Sequence, residues 1–235
     1  MGLKKAKSIK HNGKKLPEIL EAHDRFFRGH EGGTRADLAG ADLAGADLSG
    51  VNLSGAILRG ANLVGSDLRK SKLPGADLSG AKMHGVDLRN SDLTEAILPG
   101  ADLSEAQASG IEFFRCDLSN VNFERAQLRN VNFRLANISG AKFAGADMGV
   151  AILRETDLSG VDLSGVDLGT ALMPRGYVAG APAKVCWARS LSQVALSSTL
   201  GTSRHIRPDS TLRMPWRMRM LTGQRSAQAG PPSRQ

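Results

Sequence analysis

From Ala36 to Met173 the chain repeats every five residues, without insertion or slip. Ala36-Asp-Leu-Ala-Gly40, Ala41-Asp-Leu-Ala-Gly45 and Ala46-Asp-Leu-Ser-Gly50 set the pattern. The middle place of each block occurs 28 times, at residue 38 and every fifth residue on to 173. It holds nineteen Leu, four Phe (Phe113, Phe123, Phe133, Phe143), three Met, Ile138 and one small residue, Ala108. The place two residues earlier holds sixteen Ala, six Val and three Ser, with Ile111, Cys116 and Thr156 completing it. Gly fills the fifth place fifteen times. A period of five fits neither the 3.6 of an α-helix nor the 2 of a simple strand. Glycine at that density would cost a helix about 1 kcal/mol at each site.

What remains is a chain that turns a corner every five residues and stacks on itself, with each coil touching only its neighbours. The large and small apolar places face inward and the other three face solvent. Leu38, Leu58, Leu78, Phe113, Phe123, Phe133, Phe143 and Leu158 are then expected in the core. This regularity stands in for bulk, because aromatics are only 4% of the chain.

Blocks such as Ala41-Asp-Leu-Ala-Gly45, Ala76-Asp-Leu-Ser-Gly80 and Val161-Asp-Leu-Ser-Gly165 resemble the pentapeptide-repeat family. The resemblance covers 36–173 and implies an all-β solenoid, a right-handed quadrilateral β-helix with four blocks per coil. Twenty-eight blocks then make about seven coils, roughly 34 Å long at the spacing of a β-ladder. Residues twenty apart would stack, placing Phe113 against Phe133 and Phe123 against Phe143. Cys116 takes a small inward place and is expected to be an inert core thiol.

The flanks differ from the repeat. Residues 1–15 are basic and are expected to be a disordered arm. Residues 16–35 are expected to form a capping helix and linker, since an open stack must cover its apolar end. Pro17 and Glu18 suit the start of that helix and Gly29 its end. Ile19, Leu20, His23, Phe26 and Phe27 recur on one face. His23 and His30 are read as solvated or capping residues. Residues 174–235 lose the period and become basic, with Trp187 and Trp216. That segment is expected to be a disordered tail. An irregular cap and a translated frameshift are its competing readings, and direct contact with nucleic acid is expected only through it.

The net charge of +8 is a sum of opposites. Residues 1–35 carry +5, residues 36–173 carry −6, and residues 174–235 carry +9. A global nucleic-acid reading therefore does not follow. No apolar stretch approaches the roughly 18 residues of a spanning helix, and no signal-peptide pattern follows the basic start. The expected location is cytoplasmic.

None of the five histidines falls in metal-ligand spacing, and no serine has a histidine placed as its base. No catalytic residue, cofactor or metal is expected. The outward columns carry what functional text there is. One stacks Asp47, Asp67, Asp87, Gln107, Gln127, Asp147 and Asp167, and the same face carries Arg69 and Arg89 two residues beyond Asp67 and Asp87, and Arg129 two beyond Gln127. Ile57 and Ile97 stand where Asp or Asn is usual, with Asp77 between them, and Ile152 and Leu172 do the same elsewhere.

The expected function is a non-enzymatic scaffold for an unknown protein partner. The alternative, implied by the family resemblance, is a DNA-mimicking modulator of a type II topoisomerase such as gyrase, and a homodimer is compatible with that resemblance. The field argues against strong mimicry: the repeat carries −6, whereas duplex DNA of about 34 Å shows roughly 20 negative charges. Asp and Asn before the middle Leu are also good turn formers.

Overall fold

The computed structural model describes residues 3–175 and Tyr177. The tail expected over 174–235, with Cys186, Trp187 and Trp216, lies almost wholly outside the described residues.

Parallel bridges join residues twenty apart from Asp37↔Ile57 to Ile152↔Leu172, so four blocks make one circuit. Each rung has one form. The Leu38 N–H donates to the Ile57 carbonyl at 2.7 Å, and the Ile57 N–H donates back to the Ala36 carbonyl at 3.0 Å. At each corner the middle residue's carbonyl accepts from the residue three further on, as Leu38 does from the Ala41 N–H at 3.0 Å. In its type II form such a turn takes a positive φ at its third residue. That residue is the fifth of the block, and Gly40 has φ +65° there. Glycine therefore recurs at that place because of turn geometry.

The interior is lined as the periodicity requires. Leu38, Leu58, Leu78, Phe113, Phe123 and Phe133 are fully buried, Phe143 is 1% exposed and Leu158 5%. Burial declines in the last blocks, where Leu163, Leu168 and Met173 are only partly covered. The four phenylalanines form two stacked pairs. Phe113 lies 5.5 Å from Phe133 and Phe123 lies 5.2 Å from Phe143, and the pairs meet edge to face at 5.8–6.2 Å.

Polar residues at the small inward place are satisfied locally. The Ser66, Ser71 and Ser91 hydroxyls donate to carbonyls three residues earlier. The Thr156 hydroxyl and the Cys116 thiol reach across to the adjoining coil, at the carbonyls of Phe133 (2.7 Å) and Leu93 (2.8 Å). Burial pushes the Cys116 thiol up to about 12, so it stays protonated and unreactive at neutral pH.

The N-terminal arm corrects the sequence expectation of disorder. Lys10–His11 (β1) and Lys14–Lys15 (β2) pair antiparallel across Asn12-Gly13. Both turn residues have positive φ, +49° and +78°, as a two-residue hairpin turn favours. Ahead of the hairpin, Lys4 bridges Ala46 in parallel, accepting from the Asp47 N–H at 3.0 Å and donating to the Gly45 carbonyl at 2.6 Å. The arm thus continues one ladder beyond the first coil and occupies part of its open edge.

Helix α1 spans Leu16–Phe27. The Glu18 carboxylate accepts from the Lys15 N–H at 3.3 Å at its start. At its end, Gly29 (φ +69°) closes a Schellman motif, with Gly29 N–H to Phe26 and His30 N–H to Arg25. Gly33 runs so close to the backbone of Arg25 and Phe26 that a Cβ there would collide with it.

The helix buries a narrower face than its periodicity implies. Leu16 and His23 are fully buried and Ile19 and Leu20 partly, while Phe26 and Phe27 remain 49% and 48% exposed. His30 lies beyond the helix. Of the two roles read for His23, solvated or capping, the structure supports capping: its Nδ1 accepts the Ala36 N–H at 3.0 Å, pinning the helix to the start of the repeat.

Candidate interaction surface

The five-residue block places one outward side chain between its two inward ones, and stacking at twenty residues makes four outward columns. The most acidic column is a continuous ladder, Asp47↔Asp67↔Asp87↔Gln107↔Gln127↔Asp147↔Asp167. Its carboxylates are not free. Asp67 is only 4% exposed and is gripped by two of the Arg69 guanidinium nitrogens, with Nε–Oδ1 at 2.9 Å and Nη2–Oδ2 at 2.6 Å. Arg89 grips Asp87 in the same way, at 2.9 and 2.6 Å, and Arg69 also lies 3.6 Å from Asp87. Arg129 reaches Asp147 at 3.2 Å. The Arg69 hydrogen bonds hold the Asp67 carboxyl below its ordinary value. Asp47 and Asp167, exposed at the two ends of the column, have no such arginine fork and accept from Ser49 and Gly169 instead.

A second use of these side chains recurs over the repeat. The Oδ1 of each such Asp or Asn accepts the N–H two residues on, at 3.1 Å in Asp37 to Ala39 and 3.1 Å in Asp102 to Ser104. The acid therefore closes its own corner. Asparagines also donate between coils, Asn62 to Asp42 at 2.8 Å and Asn137 to Asp117 at 3.0 Å. The repeat's acidic residues do structural work at these corners.

The structure sets Ile57, Asp77 and Ile97 on one column, but the two isoleucines do not meet. Asp77 sits between them, 6% exposed and paired with Arg59. Burial works to raise its carboxyl, yet hydrogen bonds from Ser79 and Arg59 outweigh it and the net shift is downward. Ile57 is half-buried and Ile97 42% exposed.

A second apolar group joins two aliphatics named from the sequence, Ile152 and Leu172, to one that was not, Val150. Ile152 and Leu172 stack on one column, with Val150 at the preceding corner; Leu172 is 42% and Val150 43% exposed. Val150 takes φ +64° where glycine or asparagine is usual, as Leu135 does at +58°. The signal was present as a β-branched residue in the fifth place of a block. A left-handed conformation costs such a residue about 1–2 kcal/mol, whereas Asn90, Asn120 and Asn130 occupy the same conformation in this chain. Val150→Asn is therefore expected to raise the unfolding free energy by about 1 kcal/mol, read as a higher denaturant midpoint. An unchanged or lower midpoint would show that the corner holds no strain.

An open recess of about 340 Å³ is lined by Ser49, Gly50, Arg69 and Lys70. Among the described residues no group of three or more His, Cys, Asp or Glu side chains could hold a metal ion, and no helix is long and apolar enough to cross a membrane.

The family described as pentapeptide repeats matches in eight copies, over residues 36–75, 71–106, 96–134, 111–149 and 133–169. Among solved structures, the chain is similar to a trypsin-treated variant of QnrB1, a plasmid-mediated fluoroquinolone resistance protein. The TM-score is 0.50 at 19% identity, over 71% of this chain and 85% of that one, a likeness of fold. HetL, a pentapeptide repeat protein involved in heterocyst differentiation regulation from the cyanobacterium Nostoc sp. strain PCC 7120, aligns with a TM-score of 0.32 at 24% identity. It covers 66% of this chain and 96% of its own. A comparison with curated proteins returns no match.

Proposed function

The chain belongs to the pentapeptide-repeat family, and from that premise we propose that it is a non-enzymatic scaffold. In this reading residues 36–173 form that family's right-handed, four-sided β-helix of about seven coils. Residues 16–35 cap it, and its outer columns present a rigid surface to a protein partner in the cytoplasm. The supporting observation is how the acidic column is used. Arg69 and Arg89 fork onto Asp67 and Asp87, and the Asp and Asn side chains accept from their own corners. A surface neutralised from within suits shape recognition better than imitation of a polyanion.

A second reading, modulation of a type II topoisomerase by DNA mimicry, is favoured by one observation, the unbroken Asp47–Asp67–Asp87 stack. Capture of partners from bacterial lysate by the full chain separates the two. The scaffold reading expects a specific protein that survives high salt and is not displaced by duplex DNA. Recovery of a topoisomerase, lost in high salt, displaced by duplex DNA and weakened by Asp47→Asn with Asp167→Asn, would overturn it in favour of mimicry.

A further inference from the structure

The N-terminal arm and its hairpin gather a positive charge that no ion pair among the described residues balances. Lys4, Lys5, Lys7, Lys10, Lys14 and Lys15 are all exposed, and no acidic residue precedes Glu18. The Glu18 carboxylate is turned to the Lys15 backbone N–H, and no ion pair among the described residues includes a lysine. Lys10 stands directly opposite Lys15, a like-charge pairing that weakens a two-stranded ribbon. The lysines are nonetheless held in place, because the Asn12-Gly13 turn fixes the hairpin and Lys4 is bridged to Ala46.

Two further features give this end a polarity. Behind the hairpin, the first coil exposes Asp37, Asp42 and Asp47. In the same N-terminal region, large apolar side chains remain uncovered: Leu3 at 45%, Phe26 at 49% and Phe27 at 48%.

We propose that this N-terminal end docks on an anionic lipid bilayer, with the lysine hairpin meeting the headgroups and Leu3, Phe26 and Phe27 entering the interface. Lysines beside a lipid surface attract acidic headgroups within a Debye length, and partly exposed aromatic and aliphatic groups supply the second contribution that stable attachment needs. The acidic repeat behind them is repelled by the same surface, so the charge distribution favours contact through the end. A nucleic acid would use the lysines, but it would leave the three apolar side chains without a role.

The test uses the full chain and vesicles of phosphatidylcholine, with and without about one-third phosphatidylglycerol. Co-sedimentation is measured at about 0.05 and about 0.5 M salt, and hydrogen exchange locates the contact. Binding is expected only with phosphatidylglycerol, weakened by salt, with protection confined to residues 3–27. Replacing all six lysines with glutamine should lower the apparent affinity on the order of tenfold or more, and Leu3→Ser with Phe27→Ser should lower it at low salt as well. An unchanged circular dichroism spectrum would show that these exposed changes leave the fold intact. Failure to bind, binding unaffected by the lysine changes, or protection confined to 174–235 would overturn the proposal. So would displacement of the hairpin from vesicles by duplex DNA at equal charge, which would assign the surface to nucleic acid.

Discussion

Phe133→Ala is expected to lower the unfolding free energy by about 3–5 kcal/mol, the largest loss for any single change proposed for this chain. Phe133 is fully buried and meets three other rings, stacked on Phe113 at 5.5 Å and edge-on to Phe123 and Phe143 at 6.1 and 6.2 Å. Coils contact only their neighbours, so a hole at this place is lined by the same few rings and the backbone ladder prevents them from closing it. Part of the loss is transfer free energy and part is the cavity. Phe133→Leu keeps most of the volume and should cost only about 1 kcal/mol. Denaturant unfolding followed by circular dichroism decides it: an alanine variant within about 1 kcal/mol of the parent would mean that the aromatic ladder adds little beyond the leucines around it.

Acidification is expected to loosen the N-terminal cap while the repeat keeps its structure. His23 is fully buried, and its Nδ1 accepts the Ala36 N–H, which places the ring proton on Nε2. Among the described residues that Nε2 is a buried side-chain nitrogen with no hydrogen-bond partner. Burial lowers its pKa below the ordinary 6.5, and the Arg35 charge adds to the shift; the Ser54 carbonyl and Asp24 oppose both. The unfolded cap therefore takes up a proton at a higher pH than the folded one. The contribution to stability is present above about 6.5 and falls as the pH drops through that value, until the folded imidazole itself charges. A proton on Nδ1 also removes the acceptor that holds Ala36.

Amide exchange across residues 16–36, corrected for intrinsic rates, should then rise between about pH 7.5 and 5. Exchange within the phenylalanine coils should hold steady. His23→Ala should loosen the same segment at neutral pH by about 2 kcal/mol or more, through the lost ring and the orphaned Ala36 N–H. Exchange at Ala36 that ignores pH would remove His23 from this role.

What could be read from the sequence follows from how local each cause is. The coil, its inward residues and the two phenylalanine pairs rest on a period, and a period needs no knowledge of distant contacts. The lysine hairpin was overlooked because the run of Lys4 to Lys15 signals a solvated arm, although Asn12-Gly13 is a strong two-residue turn signal. The sequence does not choose between a solvated and a capping His23, because its burial depends on where α1 lies against the repeat, which helical periodicity leaves open. The acidic column was found, but its neutralisation was only half visible. That Arg69 follows Asp67 by two residues is plain in the text, whereas its reach to Asp87 requires the stack. Phe26 and Phe27 completed a helical stripe in the sequence yet stay half uncovered, since α1 has too little of the coil end to cover all of that stripe.

The unbroken twenty-residue pairing has one more consequence, for how such a chain can change length. Inserting or deleting a single block of five would advance every later column by a quarter-turn, so that Asp147 and Asp167 would no longer continue the line begun by Asp47, Asp67 and Asp87. Outside the phenylalanine coils the interior would scarcely register it, because nearly every block supplies one large and one small inward residue. Length changes in whole multiples of twenty preserve the outer pattern, and all others rewrite it downstream. A lineage of such chains can therefore exchange one surface for another by block duplication alone, with its core left as it was.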